Sequence, residues 1–421
     1  MRPSPLTTIC GLAFGLVSIL PSAARPAETG RWPRFRGPNG AGISHATTVP
    51  VRWSADDCNW RVKLPGGGHS SPVVWDGRVF VTCTDARTAR RTVLCLTAGD
   101  GREMWRKDFP GRPHRMHRDN SYASATPAVD EKGVYLAWAT PREVTLLSLD
   151  HAGRDRWRRG LGAFDSMHGH GTSPIAVGGL VVLANDQRGT ASLIAVDRQT
   201  GKTRWQAERR SGLTPASTPC VFRAAGLPPR LIFTTTAHGI SAVDPNTGQT
   251  DWELPKVFLD RCVGSPVFDR GRVVASYGYG QRGTRLVAAR PGEKARGVEP
   301  KIAWDLKKSV PLVPTPIAKD GRLFLWSDDG TTAAMEIETG KLLWRQRVEG
   351  SFYGSPVWVD GRLYCISKKG EVVVLAAADA FRQLARVPLG EKSFATPAVA
   401  GGVMYLRTWS HLLAVGGDEG R

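Results

Sequence analysis

A hairpin motif that returns at intervals along the chain constrains its fold more than any other feature. The segment from Ala195 to Trp205 joins a short apolar run to a second strand through Asp197-Arg198-Gln199-Thr200-Gly201. Asp caps such a turn with its own side chain, and Gly adopts the positive φ that the turn requires. The pattern Ala-x-Asp-x-x-Thr-Gly-x-x-x-Trp returns at 242–252 and, with Glu for Asp, at 334–344. A hairpin repeated on this scale predicts a repeat architecture.

A Ser or Thr followed by Pro marks eight further strand starts, spaced 40 to 55 residues apart. Proline is tolerated at the first residue of a strand, where its missing N–H costs no ladder hydrogen bond. A spacing of this size corresponds to one four-stranded propeller blade. The sequence therefore predicts an all-β protein, an eight-bladed β-propeller of four-stranded blades. The eight pairs are Ser71-Pro72, Thr126-Pro127, Ser173-Pro174, Thr218-Pro219, Ser265-Pro266, Thr315-Pro316, Ser355-Pro356 and Thr396-Pro397.

The two ends of the predicted ring complement each other. Residues Asn59 to Leu64 have the pattern of an outer strand with no blade before it, and the last blade ends near Val415 without an outer strand. We predict that the N-terminal strand completes the last blade and closes the ring, since a propeller leaves no open gap. Outer-strand tryptophans are expected to pack against the next blade; the seventh blade has Ala385 or Arg386 at this position. These structural tryptophans are Trp60, Trp105, Trp157, Trp205, Trp252, Trp304 and Trp344.

The N-terminus has the layout of a secretory signal peptide. Arg2 precedes an apolar run from Leu6 to Leu20 and then Ser22-Ala23-Ala24. The alternative of a membrane anchor is disfavoured because the run is short, and no later stretch is apolar for long enough to span a membrane. We predict an exported protein of the periplasm or cell envelope. Its expected divisions are a signal peptide (1–24), a Pro/Gly-rich arm that packs its aromatic residues on the propeller (25–52), the propeller (53–415) and a tail (416–421).

Charge and cysteine usage narrow the function classes. The formal net charge is +19, and a positive field favours anionic partners. Nucleic acid is not expected, because no basic helix or nucleic-acid motif is present. No Cys-x-x-Cys pattern occurs, which argues against attached haem and familiar zinc sites. Cys83 and Cys95 fall on neighbouring predicted strands, so a bridge between them and a pair of buried free thiols are both open, with free thiols favoured.

The hairpin and the Ser/Thr-Pro marker together resemble the pyrroloquinoline quinone repeat family of eight-bladed propellers. The resemblance runs from about Trp53 to Val415, and Trp32-Pro33-Arg34-Phe35-Arg36-Gly37-Pro38 is similar to the arm of planctomycete-type exported propellers. It implies two alternatives. One is a quinoprotein dehydrogenase with the quinone and calcium in the central channel. The other is a non-catalytic scaffold such as the outer-membrane assembly lipoprotein.

Several departures favour the scaffold. The dehydrogenases resemble one another in an adjacent Cys-Cys disulfide, and no Cys-Cys occurs in this sequence. Neither the calcium site nor the catalytic Asp that such an enzyme needs can be placed on any stretch. We therefore predict a non-catalytic binding or scaffold module with no catalytic residues and no resident cofactor. Its expected partner is a protein or an anionic cell-envelope component. A quinone- and calcium-dependent alcohol or sugar dehydrogenase is the alternative, and the oligomeric state is left open.

Residues just before each Ser/Thr-Pro pair are expected to surround one mouth of the channel, where propellers most often bind. Four histidines near this mouth, His114, His117, His168 and His170, form a possible metal site because imidazole is a common ligand. Polar loop residues are the favoured interpretation, since no carboxylate or thiol accompanies them at a recognised spacing. The candidate mouth residues are His69, Asp119, Asn120, Tyr122, His168, His170, Arg261, Tyr353 and Phe394.

Overall fold

A computed structural model describes residues 30–224, 226–278 and 283–417. The signal peptide predicted for 1–24 and all but two residues of the predicted tail lie outside these ranges. The regular secondary structure of the described chain is β-strand, apart from 3-10 helices at Pro38–Gly40 and Lys294–Arg296. None of its helices is long and apolar enough to cross a membrane.

Eight antiparallel sheets follow one another around a ring. Two strands precede the first blade, Ile43–Ser44 (β1) and Cys58–Lys63 (β2). Blade 1 contains Val73–Trp75 (β3), Arg78–Thr84 (β4), Arg91–Thr97 (β5) and Glu103–Phe109 (β6). Blade 2 contains Ala128–Asp130 (β7), Gly133–Thr140 (β8), Glu143–Leu149 (β9) and Asp155–Gly160 (β10). Blade 3 contains Ile175–Val177 (β11), Leu180–Asn185 (β12), Gly189–Asp197 (β13) and Thr203–Ser211 (β14).

The remaining blades repeat this order. Blade 4 contains Cys220–Phe222 (β15), Arg230–Thr235 (β16), Gly239–Val243 (β17) and Thr250–Leu254 (β18). Blade 5 contains Val267–Asp269 (β19), Arg272–Gly278 (β20), Thr284–Arg290 (β21) and Lys301–Leu306 (β22). Blade 6 contains Ile317–Lys319 (β23), Arg322–Trp326 (β24), Thr331–Glu336 (β25) and Leu342–Arg347 (β26). Blade 7 contains Val357–Val359 (β27), Arg362–Ile366 (β28), Glu371–Ala376 (β29) and Gln383–Pro388 (β30), and blade 8 adds Ala398–Ala400 (β31), Val403–Arg407 (β32) and His411–Gly416 (β33).

The N-terminal strand closes the ring, which confirms the prediction. Strand β2 pairs antiparallel with β33 and is the outermost strand of blade 8, with Trp60 opposite Ala414 and Val62 opposite Leu412. Blade 7 differs from the expected four strands, because β1 adds a fifth, parallel strand along the inner edge of β27. The eight-bladed fold is otherwise as predicted.

Burial explains which sequence patterns form which strands. The second and third strands of a blade face neighbouring blades on both sides, so their residues are almost all buried, as in β4 and β5. The outer strands are buried on one face only, so exposed and buried residues alternate around Trp205 in β14. A continuous apolar run therefore indicates the second or third strand of a blade, and an alternating run indicates the outer strand.

The Gly and the Trp of the repeated hairpin join one blade to the next. Five outer-strand indoles lie against the hairpin glycine of the following blade, as Trp205 does against Gly248; the other four are those of Trp60, Trp105, Trp157 and Trp304. The Trp205 Nε1–H also donates to the Pro245 carbonyl in that hairpin, at 2.8 Å. Five other tryptophans donate to the next blade in the same way, namely Trp60, Trp105, Trp157, Trp304 and Trp344. The repeat motif is therefore an inter-blade contact as well as a turn.

Blade 7 carries Ala385 at the position of this tryptophan, because Ala385 lies opposite Val374 as Trp344 lies opposite Ala334. Ala385 is buried in a cluster against which Val51 and Trp53, from the segment before β2, also pack. The N-terminal segment therefore contributes apolar side chains where the repeat motif is lost.

The six cysteines of the described chain are free thiols. Strands β4 and β5 do pair, but Cys83 lies opposite Thr92 and Cys95 lies opposite Phe80. The two thiols also belong to different apolar clusters. Cys83 and Cys95 are therefore free thiols in the structure and do not form a disulfide.

Candidate functional site

The eight Ser/Thr-Pro markers form a closed ring of hydrogen bonds around the channel. The backbone N–H of each Ser or Thr donates to the side-chain oxygen of its counterpart in the next blade, at 2.9 to 3.3 Å, and Thr396 returns to Ser71 at 3.0 Å. All eight side chains are buried. We call these residues the hydroxyl ring: Ser71, Thr126, Ser173, Thr218, Ser265, Thr315, Ser355 and Thr396. Sequence reasoning assigned only strand starts to these positions, although the restriction to Ser or Thr was a signal for this role.

The arm crosses the channel at the level of the innermost strands, which begin shortly after the hydroxyl-ring residues. Trp32 pairs with Val74 of blade 1, and the Pro33 carbonyl accepts the Val129 N–H of blade 2 at 2.7 Å. Asn39 exchanges two hydrogen bonds with the Val221 backbone of blade 4, each 2.8 Å long. With β1 on blade 7, the arm contacts innermost strands around the ring. It therefore spans the channel between blades on different sides of the ring.

Arg36 holds the middle of the arm in place. Its guanidinium is fully buried and donates to the carbonyls of Thr315 at 2.9 Å, Pro316 at 2.7 Å and Pro356 at 3.1 Å. Burial lowers the pKa of Arg36 to about 9. Phe35, beside it, is half-buried and lines the channel on the mouth side. The prediction that the arm packs on the propeller did not anticipate that it crosses the channel.

A cavity of about 270 Å³ lies between the arm and the mouth loops. We call it the mouth cavity. Phe35, Asp328 and seven of the eight hydroxyl-ring residues line it, Ser265 being the exception. Two predicted mouth residues, Tyr122 and His170, do not line the mouth cavity. They line a smaller neighbouring cavity with Arg91 and His114. The other predicted residues are brought together on its wall: His69, Asp119, Asn120, His168, Arg261, Tyr353 and Phe394.

Asp119 connects the loop after blade 1 to blade 7. Its Oδ2 accepts a hydrogen bond from the Tyr353 hydroxyl at 3.0 Å and lies 3.4 Å from the Lys368 Nζ. Burial alone would raise the pKa of Asp119, but the Tyr353 hydrogen bond and Lys368 lower it below its ordinary value. Lys368 also lies over the Tyr353 ring, 4.0 Å from its centroid. Sequence reasoning missed Lys368, because it follows a strand and does not precede a Ser/Thr-Pro pair.

Asn120 fixes the next mouth loop. Its Nδ2 donates to the backbone carbonyls of His168 at 2.6 Å and His170 at 3.3 Å. The His168 pKa is lowered to about 4, first by burial and then by the charge of Arg261. His168 is therefore neutral at physiological pH and presents an uncharged imidazole to the cavity.

The four mouth histidines do not converge. The rings of His117 and His168 lie 5.2 Å apart, whereas His114 packs on Tyr122 and His170 packs on Phe164. Within the described ranges, no group of three or more His, Cys, Asp or Glu residues is arranged to hold a metal ion.

His69 forms an aromatic corner of the cavity. Its ring stacks on Phe394 at 4.6 Å between centroids and lies 5.2 Å from Trp409. Burial, then Arg407 and Lys392, lowers the His69 pKa to about 3. Its Nδ1 is buried and has no hydrogen-bond partner among the described residues. This neutral imidazole therefore keeps unused hydrogen-bonding capacity beside the cavity.

The cavity carboxylates do not fit a calcium site. Calcium takes six to eight oxygen ligands, several of them carboxylates. Asp119 and Asp328 are the carboxylates of the described lining. Asp119 is bound to Tyr353 and Lys368, and Asp328 accepts the Leu312 N–H at 2.8 Å. The donor set of a quinone–calcium centre is not assembled among these residues, so we derive no chemical step through one.

Comparison with known proteins gives two kinds of relative. A family model described as outer membrane protein assembly factor BamB matches residues 89–310 and 301–421. The solved structure of BamB from Moraxella catarrhalis is 15% identical and has a TM-score of 0.61, over 86% of this chain and 97% of BamB. The quinohemoprotein alcohol dehydrogenase ADHIIG from Pseudomonas putida HK5 is 14% identical with a TM-score of 0.61, over 94% of this chain and 82% of the enzyme. At these identities the two structures show a shared fold.

A curated relative is similar in sequence. Lupanine 17-hydroxylase [cytochrome c] from a Pseudomonas species is 24% identical over an alignment 411 positions long, which covers 77% of this chain. The match spans only 56% of the length of that enzyme. The chain is thus similar both to an assembly factor and to quinoprotein-type enzymes.

Proposed function

Since this chain belongs to the family described as outer membrane protein assembly factor BamB, we propose that it is a non-catalytic binding module that engages its ligand or partner at the mouth cavity. One propeller fold serves both enzymes and scaffolds, so the site has to decide between them.

This proposal is supported by the hydrogen bonding and protonation of the polar groups in the mouth cavity. Both carboxylates are already engaged, Asp119 by Tyr353 and Lys368, and Asp328 by backbone amides. Two imidazoles of the cavity, those of His69 and His168, have lowered pKa values and are neutral at physiological pH. A general base needs a pKa near the operating pH and access to the proton it removes. These groups are suited to recognition by shape and hydrogen bonding.

The proposed partner is a protein or an anionic component of the cell envelope. The net charge of +19 supports an anionic partner, and the family description supports a role at the outer membrane. Export through a signal peptide at 1–24 is part of the proposal. So is the division into an arm (25–52), a propeller (53–415) and a tail (416–421).

A quinone-dependent dehydrogenase is the second candidate, favoured by the sequence similarity to lupanine 17-hydroxylase. Pyrroloquinoline quinone and calcium chloride, added to the purified full chain, separate the two candidates. We expect no tight binding by calorimetry and no dye reduction with alcohols or sugars. Stoichiometric quinone binding with substrate-dependent dye reduction would refute the binding-module proposal.

Recovery of the tagged full chain from its own envelope, with mass spectrometry of the proteins and glycans that co-purify, tests binding at the mouth. We expect His168→Ala to reduce the recovery of a specific partner while leaving the circular dichroism spectrum unchanged. His45→Ala is the matched control, because His45 lines a different cavity, formed by the arm with blades 4 to 6. Equal loss of the partner in both variants, or in neither, would place binding away from the mouth cavity.

A further inference from the structure

The hydroxyl ring has hydrogen-bonding capacity that the protein does not use. Each of its side-chain oxygens accepts one backbone N–H from the preceding blade, as Thr126 does from Ser71 at 2.9 Å. Within the described chain, none of these eight hydroxyls donates to a protein acceptor. A hydroxyl carries one donor and two lone pairs, so each keeps a donor and an acceptor. Seven of them line the mouth cavity, and buried polar groups left unpaired are costly.

The charged groups of the cavity lining are few and already partnered. Asp119 and Asp328 are its carboxylates, and Arg261 is its arginine. Asp119 lies 3.4 Å from the Lys368 Nζ, Asp328 accepts backbone N–H groups, and the Arg261 Nε donates to the Thr214 carbonyl at 3.0 Å. An anionic ligand would lie beside two carboxylates, and a cationic ligand would compete with Lys368 for Asp119. The lining is therefore suited to an uncharged ligand.

The two carboxylates also have lone pairs to spare. A carboxylate offers about four lone-pair sites. Asp119 accepts from the Tyr353 hydroxyl and from Lys368 at its Oδ2, so its Oδ1 receives no hydrogen bond from the described residues. Asp328 accepts only two N–H groups in the described chain. The cavity therefore has acceptors for the hydroxyls of a ligand, in addition to the donors of the hydroxyl ring.

Aromatic surface and a defined size complete the cavity. The ring of Phe394 stacks on His69 at 4.6 Å and meets the edge of Tyr353 at 5.1 Å between centroids, and Phe35 contributes a further ring from the arm. We call these four residues the aromatic wall. The cavity volume of about 270 Å³ is near the lower limit of ordinary ligand pockets, about 300 Å³. A small ligand, or the end of a longer one, therefore fits it.

We infer that the mouth cavity binds the uncharged terminal unit of a saccharide, with its hydroxyls paired with the hydroxyl ring and the two carboxylates and its C–H face on the aromatic wall. This inference rests on the proposed binding function and names its ligand class. A sugar hydroxyl both donates and accepts, so it matches a ring hydroxyl that keeps one donor and one acceptor. A peptide terminus brings a full charge into the cavity, and an apolar ligand leaves the seven hydroxyls unpaired.

Ligand-detected NMR on the purified full chain, without quinone or calcium, tests the ligand class. The neutral probes are the methyl glycosides of D-glucose, D-galactose and D-mannose. The controls are the uronic acid and the 2-amino sugar of the same configuration, which add a negative or a positive charge, and cyclohexanol, which keeps a ring with one hydroxyl. We expect at least one neutral glycoside to bind at millimolar concentration and about tenfold more tightly than its controls, a difference of about 1.4 kcal/mol. Its affinity should not change with salt, because screening acts on charges.

Two variants of the hydroxyl ring locate the site. Ser355 and Ser265 each accept one backbone N–H, at 3.0 and 2.9 Å, but of these two only Ser355 lines the mouth cavity. Ser355→Ala and Ser265→Ala therefore lose the same structural hydrogen bond. Ser355→Ala should weaken binding of the neutral glycoside severalfold, up to about tenfold, because a neutral hydrogen bond contributes about 0.5–1.5 kcal/mol. Ser265→Ala should leave the affinity unchanged.

Several results would overturn the saccharide assignment. They are no binding of any neutral glycoside at millimolar concentration, binding of a charged sugar or of cyclohexanol that is as tight, and equal affinities of Ser355→Ala and Ser265→Ala. If Ser355→Ala fails to fold, Phe394→Leu takes its place, and an unchanged affinity in that variant would likewise refute the site. A partner whose recovery depends on His168 would then still support the binding module, so failure of this inference is distinguishable from failure of the proposed function.

Discussion

Replacing Gly248 with alanine tests the inter-blade contact between hairpin and tryptophan. Gly248 has φ +75°, and a Cβ added there would lie 2.5 Å from Cε3 and 2.7 Å from Cδ2 of Trp205. The left-handed backbone costs about 1–2 kcal/mol for a residue with a Cβ. Overpacking against the buried indole adds about 1–3 kcal/mol. We therefore expect Gly248→Ala to lower the free energy of unfolding by about 2–5 kcal/mol.

Gly77→Ala is the matched control. Gly77 has φ +73°, and a Cβ there would meet no atom within 4 Å. Gly77→Ala should therefore lower the free energy of unfolding only by the cost of the left-handed backbone, about 1–2 kcal/mol. Urea unfolding followed by tryptophan fluorescence and far-UV circular dichroism gives both values, provided the denaturant slope stays constant. The effect of Gly248→Ala should also shrink to the backbone part in a Trp205→Ala background, as a double-mutant cycle reports. Equal losses for Gly248→Ala and Gly77→Ala would refute the contact argument.

Three further predictions follow from the same contacts. Trp205→Ala should cost about 3–5 kcal/mol, because it leaves a cavity between blades 3 and 4; an unchanged urea midpoint would contradict this. Deleting residues 25–64 should abolish cooperative unfolding, since it removes β2 and opens the ring; a two-state transition with the wild-type slope would count against closure. Burial alone would raise the pKa of Glu391, but hydrogen bonds from Thr408 and Ser410 lower it from 4.5 to about 2. The resulting stabilisation is present above pH 4.5 and is lost as the pH falls toward 2. The urea midpoints of Glu391→Gln and of the wild type should therefore differ at pH 7 and converge near pH 2. A difference in midpoint that does not change with pH would exclude the carboxylate as its source.

The sequence by itself determined the repeat unit, the number of blades and the closure of the ring. The turn at Asp197 is local, since its carboxylate accepts the N–H groups of Gln199 and Thr200 at 3.0 and 2.9 Å. The Ser/Thr-Pro spacing and the unpaired strand around Trp60 follow from chain length and strand pattern. Such features are predictable because turn chemistry and strand alternation act between residues close in sequence.

Only the tertiary structure decided how the mouth is built. Asp119 meets Tyr353 at a separation of 234 residues, and Arg36 meets Thr315 at a separation of 279. Within one loop, Asn120 faces the mouth cavity whereas Tyr122 faces a different one. Loop residues have no regular period, so the direction of each side chain is set by partners that are remote in the sequence. The hydroxyl ring likewise arises only when eight equivalent residues from different blades meet around one channel.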